Sequence, residues 1–232
     1  MQTKYLCLFP LIFSFVCGQT KATTLPASPT VIKKVQTTYH NKYAVKRVQA
    51  YFHLLKQLQG KSKKAQLNAV NNFFNMIDSA QDRGVWGKAE FFANPIEMLA
   101  LNASDCEDYA IAKYVALKTL GFKESSLRIY VGREYNSARR IGHTVLAYYP
   151  SPDSTPLILG NINRYIRPST SRRDFTRYYG FNMDKVDIYE KKIPSRSIKR
   201  YVNRFKASML RMQTQNYALP RKAYMDYMNY YN

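Results

Sequence analysis

Residues 101–121, LNASDCEDYAIAKYVALKTLG, constrain this chain more than any other stretch: an acidic turn feeds a helix with a cysteine at its entrance. Ser104 and Glu107 stand in S-x-x-E spacing, the capping-box pattern, so Ser104 is the expected N-cap. Cys106 then falls in the first turn. From there Cys106, Ala110, Tyr114 and Leu117 recur on one helical face, and Lys118 and Gly121 supply the stop signals. First-turn N–H groups lack partners inside the helix, and the macrodipole leaves about half a positive charge at that end. A thiolate placed there is stabilised, and its pKa falls below the free value of about 8.5. The neighbouring carboxylates Asp105, Glu107 and Asp108 argue against an inert apolar burial, yet they push a thiol pKa upward. A hard cation with oxygen ligands is the natural counterweight.

The N-terminus reads as a targeting segment. Lys4 precedes an apolar run over 5–16 that is too short to anchor in a bilayer, and residues 1–18 form a signal peptide cleaved after Gly18. Phe15 and Val16 fit poorly with lipidation at Cys17. Without Cys7 and Cys17 the mature chain keeps Cys106 alone, a candidate reactive thiol. Residues 19–40 read as a flexible leader rich in Thr, Pro, Ser and Lys. Two amphipathic helices follow, the first with Val45, Val48, Phe52 and Leu55 inward, the second with Leu67, Val70, Phe73 or Phe74, and Ile77. His53 lies near the first stripe and reads as a structural histidine.

After Gly121 the period switches from helical to alternating. Leu127, Ile129 and Val131 mark one strand, residues 137–141 a hairpin loop, and His143, Val145, Ala147 and Tyr149 one face of the next strand. A third strand starts at residues 157–159. Pro194 opens a basic helix with Ile198, Val202, Phe205, Met209 and Met212 at helical spacing. It reads either as docked on the core or as lying on an anionic membrane surface. The fold class is therefore α+β, one domain over 41–190 with a basic helical extension over 191–232.

Asp105-Cys106-Glu107-Asp108-Tyr109-Ala110-Ile111-Ala112-Lys113-Tyr114 resembles the signature of the bacterial transglutaminase-like cysteine peptidases, including the LapG-type periplasmic proteases. Further stretches of the resemblance are Asn94-Pro95-Ile96-Glu97, the His143-Thr144-Val145-Leu146-Ala147-Tyr148-Tyr149-Pro150 strand and Ser171-Arg172-Arg173-Asp174-Phe175. It implies a papain/transglutaminase-like core, the nucleophile at a helix N-terminus packed on an antiparallel sheet. In that reading Cys106 is the nucleophile and His143 its general base. Calcium is held by Asp105 and Glu107, with Asp108 a weaker match. The implied substrate is the N-terminal region of a large surface adhesin, and the implied partner an inner-membrane regulatory receptor. One position departs from the family. The aspartate that orients the histidine belongs to an Asp-Asn pair after the third strand, and here the pair is Gly160-Asn161. Asn161 can take that role only if the strand bulges, because adjacent strand residues point to opposite faces, and Asn163 shares its parity. The expectations are thus a calcium-dependent periplasmic peptidase with a degraded third position, or a pseudoprotease that binds a membrane regulator or surface protein.

Net charge is +21, with 36 Lys+Arg against 15 Asp+Glu. Basic residues are spread along the chain without a phosphate loop, zinc spacing or RNA-binding aromatic motif, so nucleic acid is not the expected partner. Anionic lipid, polysaccharide or an acidic protein suits the charge better.

Overall fold

The computed structural model describes residues 28–136 and 139–231; the signal peptide expected over 1–18 lies outside them. At its centre is α6 (Cys106–Thr119), every residue of which from Glu107 to Leu117 is buried. The one-sided face expected for this helix is thus replaced by burial all round, the pattern of a helix enclosed by the core. On one side lie α3 (Lys63–Phe74) and α5 (Pro95–Leu101); on the other lies the sheet, chiefly β4 (Arg139–Tyr148) and β3 (Leu127–Asn136).

The sheet is antiparallel, with order β6-β5-β4-β3-β7-β8. Its outer members are β5 (Leu157–Leu159), β6 (Arg167–Pro168), β7 (Phe175–Phe181) and β8 (Val186–Ile188). Alternation sorts its faces as the sequence predicts. Leu127, Ile129, Leu146 and Tyr148 join the main core with α6, while Tyr130, Val145, Ala147 and Ile158 form a smaller cluster on the opposite face. Because β5 pairs only with residues 146–148, no strand among the described residues lies on that side of β4 before Leu146.

Several expectations are corrected. Ser28–Tyr39, within the supposed leader, is helix α1, with Val31, Val35 and Tyr39 buried against α2 (Lys42–Leu58) and α5. Three buried residues at i, i+4 and i+8, with Ile32 half-buried beside them, suffice because most of the remaining residues of that helix face solvent. The β3–β4 hairpin resumes as strand at Arg139, inside the expected loop. His53 is exposed rather than structural. Of the α2 stripe, Val45 and Phe52 are only half-buried, and Ala44 and Tyr51 take the inner positions.

The basic helix α7 (Ser195–Gln213) is docked. Ile198, Phe205, Met209 and Met212 are buried, and the Phe205 ring sits 5.5 Å from Tyr114 and 5.4 Å from Phe181. Arg211 binds both oxygens of buried Glu97 at 2.8 and 2.9 Å. The apolar stripe is consumed by the core, so this helix has no matching face left to bury in lipid. A final helix, α8 (Lys222–Tyr231), follows. No described helix is long and apolar enough to cross a membrane.

Candidate active site

Asp105, not Ser104, caps α6. Ser104 belongs to β2 (Ala103–Ser104), which pairs with β1 (Asp78–Ser79), and the capping box slips by one residue to Asp105 and Asp108. The Asp108 carboxylate accepts from the Asp105 N–H at 3.4 Å and from the Ala93 N–H at 2.7 Å. Asp108 is therefore spent on holding the chain before α5 against the helix start. This frees Glu107, the expected reciprocal cap, to turn toward the thiol.

Cys106 is the first residue of α6. Its thiol donates to the Glu107 carboxylate at 3.2 Å. On the other side it receives the backbone N–H of Thr144, in the part of β4 that lacks a β5 neighbour. The helix N-terminus thus plugs the gap in the sheet and sets the thiol beside the His143-Thr144 pair. The two side chains of that pair diverge. The Thr144 hydroxyl meets the Tyr201 hydroxyl of α7 at 2.6 Å, whereas His143 shares the face of Val145 and lies edge-on to Phe175. Cys106 and His143 are thereby brought together along the backbone, without a direct thiol–imidazole hydrogen bond.

The imidazole is buried, and its Nε2 lies 3.2 Å from the Glu134 carboxylate of β3. Arg172 Nη2 holds the same oxygen of Glu134 at 3.0 Å, and Arg172 Nε binds Asp174 at 2.8 Å. Gly160 contributes only its carbonyl, which accepts from the buried Lys113 ammonium at 2.9 Å and from the Asn75 amide at 3.1 Å. Asn161 is not brought to the imidazole by any hydrogen bond: its Oδ1 is buried without a partner. Asn163 turns instead to Asp174, at 3.3 Å.

The carboxylates converge differently from the expected trio. Asp82, from the short helix α4 (Asp82–Val85), joins Asp105 and Glu107, with oxygens of all three within 4.8 Å of one another. Asp108 is replaced in the cluster by Asp82, a residue with no local sequence signal. Asp105 Oδ1 is buried and has no hydrogen-bond partner. Burial first, then Asp108, Glu107 and Asp82, push the Asp105 carboxyl up to about 12. Asp82 rises to about 6, mainly through burial, although the Phe91 N–H bonded to it works the other way. Burial, then Glu107 and Asp105, push the Cys106 thiol up, with only the Thr144 N–H opposing. Two buried carboxylates and a half-buried one with an orphaned oxygen are a donor set that suits a hard dication.

The sequence profile of the bacterial transglutaminase-like cysteine proteinases (BTLCP) matches residues 32–179. The chain belongs to this family. Among solved structures it is similar to Legionella pneumophila LapG, with a TM-score of 0.67 and 28% identity over 82% of this chain and 99% of that one. The calcium-bound form of the same protein matches with 29% identity over 81% and 99%, and the EGTA-treated form with 29% over 82% and 99%, each at a TM-score of 0.67. No curated protein matches. The family profile begins inside α1 and ends in β7, so α7 and α8 lie beyond it.

Proposed function

We propose that this proteinase is an exported, calcium-dependent endopeptidase of the LapG type, acting in the periplasm on a surface adhesin or another exported protein. The observation that carries the reading is the thiol of Cys106 at the start of α6, seated on the Thr144 N–H next to His143 and flanked by three converging carboxylates. His143 takes the thiol proton, and the thiolate attacks the scissile carbonyl. The Cys106 N–H, at the first position of α6, helps hold the oxyanion. His143 then returns the proton to the departing amine, and water releases the acyl-enzyme. Asp82, Asp105 and Glu107 would hold calcium, whose charge offsets the carboxylates that otherwise keep the thiol protonated.

The test is incubation of the mature chain with the N-terminal region of a large adhesin from the same bacterium. Expected is a discrete cut that disappears in EGTA, returns with calcium and is absent in Cys106→Ala. A second reading is favoured by Gly160, which lacks the orienting carboxylate: a pseudoprotease that binds the adhesin or an inner-membrane regulator without cutting. Stable binding with no cleavage, at any calcium level, would select it.

A further inference from the structure

We propose that Glu134, a residue of strand β3, is the positioning carboxylate for His143, doing from a neighbouring strand what no side chain at position 160 can do. The inference rests on the peptidase reading above, in which His143 is the general base. A general base on a strand needs a third group to fix its ring and its tautomer. The nearest carboxylate to the imidazole is that of Glu134, with Oε2 at 3.2 Å from Nε2. Both side chains are all but removed from solvent, at 1% and 3% exposure, so water cannot substitute for either partner.

The backbone explains how a β3 side chain reaches the ring. Gly132 stands directly opposite His143 in the register, and Glu134 follows two residues on, on the same face and diagonal to the histidine. A Cβ at position 132 would meet the Thr176 carbonyl at 2.0 Å and the Arg177 Cα at 2.9 Å, so only glycine lets the β7 backbone come this close to β3. The pairing of β3 with β7 shifts register between Val131 and Gly132, the kind of irregularity that re-aims a side chain.

Charge is managed as well. A buried carboxylate facing a neutral ring would be costly alone. Arg172 supplies the counterion at 3.0 Å and is itself locked by Asp174 at 2.8 and 3.1 Å. Two other charged groups bear on His143: Lys113 of α6, anchored on the Gly160 carbonyl, which lowers it, and Asp174, which raises it. Burial first, then Arg172 and Lys113, lower His143 to about 4, so the ring is neutral at pH 7. Nε2 makes no hydrogen bond in this arrangement, so Glu134, 3.2 Å away, acts on the ring through its charge: it stabilises the imidazolium that forms when His143 takes the thiol proton. The Arg172 side also keeps a trace of the vacant position: Nη1 is buried without a partner and lies 3.7 Å from where a Cβ on Gly160 would stand.

The experiment is the rate of Cys106 alkylation by iodoacetamide against pH, in the full mature chain with saturating calcium. His143→Ala defines the profile of a thiol without its base. Glu134→Gln keeps the shape but removes the charge, and is expected to lower the rate at neutral pH by about tenfold, one unit in apparent thiol pKa. Glu134→Gln combined with Gly160→Asp is expected to recover most of it, since the new carboxylate enters beside Val145 and Arg172 Nη1 once the Asn163 carbonyl, 3.1 Å from the new Cβ, gives by a few tenths of an ångström. If Glu134→Gln does not fold, Glu134→Gln with Arg172→Gln removes both buried charges and is read the same way. A profile unchanged in folded Glu134→Gln, while His143→Ala shifts it, overturns the role of Glu134 and leaves the Cys–His reading standing. A profile indifferent to His143→Ala removes that reading and this inference together. A shift that Gly160→Asp fails to reverse means Glu134 only supports the fold, and also overturns the proposal.

Discussion

Cys106 is surrounded by groups that, without a cation, work against its ionisation. Glu107 accepts from the thiol, and Asp82, Asp105 and Glu107 converge within 4.8 Å. Two consequences follow for single residues. Asp82→Asn should weaken calcium binding by about tenfold or more while the apo-protein stays folded, because one donor of three is lost. Asp108→Asn should instead destabilise the fold with smaller effect on calcium, since its carboxylate serves the Ala93 and Asp105 N–H groups. Calorimetric titration of calcium beside thermal unfolding separates the two. The pH dependence has a definite sign. Burial and mutual repulsion raise Asp82 to about 6 and Asp105 to about 12, with Glu107 and Asp108 also raised. Groups raised in the folded state lend stability below their unfolded values of about 4, and that stability is lost as pH climbs through the folded values. His143, lowered to about 4, acts the opposite way between about 4 and 6.5, and Lys113, lowered by burial, acts in the same sense as His143; against these two stand five raised carboxyls, Glu134 being the fifth. In EGTA, Tm should therefore fall from about pH 5 to about pH 8, and calcium should abolish most of the fall. A Tm that rises over that range in EGTA would refute the cluster's electrostatics. Of this site, the sequence disclosed Cys106, His143, Asp105 and Glu107, since each lies in a local motif. It hid Asp82 and Glu134 because their partners are 23 and 9 residues away along the chain, and only the fold and the register of β3 on β4 join them.

At the level of elements, helix α7 does two things that its basic composition conceals. It closes the core over α6, and through the 2.6 Å contact of Tyr201 with Thr144 it steadies the strand residue whose N–H touches the thiol. Phe205 is fully buried between Tyr114 and Phe181, so Phe205→Ala should cost about 3–5 kcal/mol and move the urea midpoint at unchanged slope. Leu210→Ala, on the exposed side of the same helix, should change stability by no more than about 0.5 kcal/mol. A helix detachable to a membrane would show the reverse: a midpoint insensitive to Phe205 and vesicle binding that depends on it. The amphipathic period made this helix legible, and α2, α3 and the alternating strands equally so. It did not say which surface the apolar stripe meets, because periodicity records one buried face and not its partner. Helix α1 escaped because its inward residues, Val31, Val35 and Tyr39 with Ile32 half-buried beside them, make a stripe too thin to stand out among Thr and Lys.

Over the whole molecule the excess of 21 positive charges is more exposed than the composition suggests, because so many acids are spent inside. Asp82, Asp105 and Glu107 face one another, Asp108 bonds backbone amides, Glu97 is held by Arg211, and Glu134 and Asp174 by Arg172. The outer surface is left strongly basic, and such a field concentrates anions near the molecule and speeds their arrival. Near the thiol the sign depends on the cation: with calcium bound the local carboxylates are offset, and without it they repel. Two alkylating reagents of similar size read both fields at Cys106. In calcium and low salt, anionic iodoacetate should gain on neutral iodoacetamide, and the gain should fade as ionic strength passes about 0.1 M, where the Debye length shrinks to about 10 Å. In EGTA the preference should invert at low salt, because the repelling charges stand next to the sulfur while the attracting ones lie at the surface. A ratio of the two rates that ignores both salt and calcium would mean that surface charge does not reach the site, and that acidic substrates are drawn in by contacts rather than by the field.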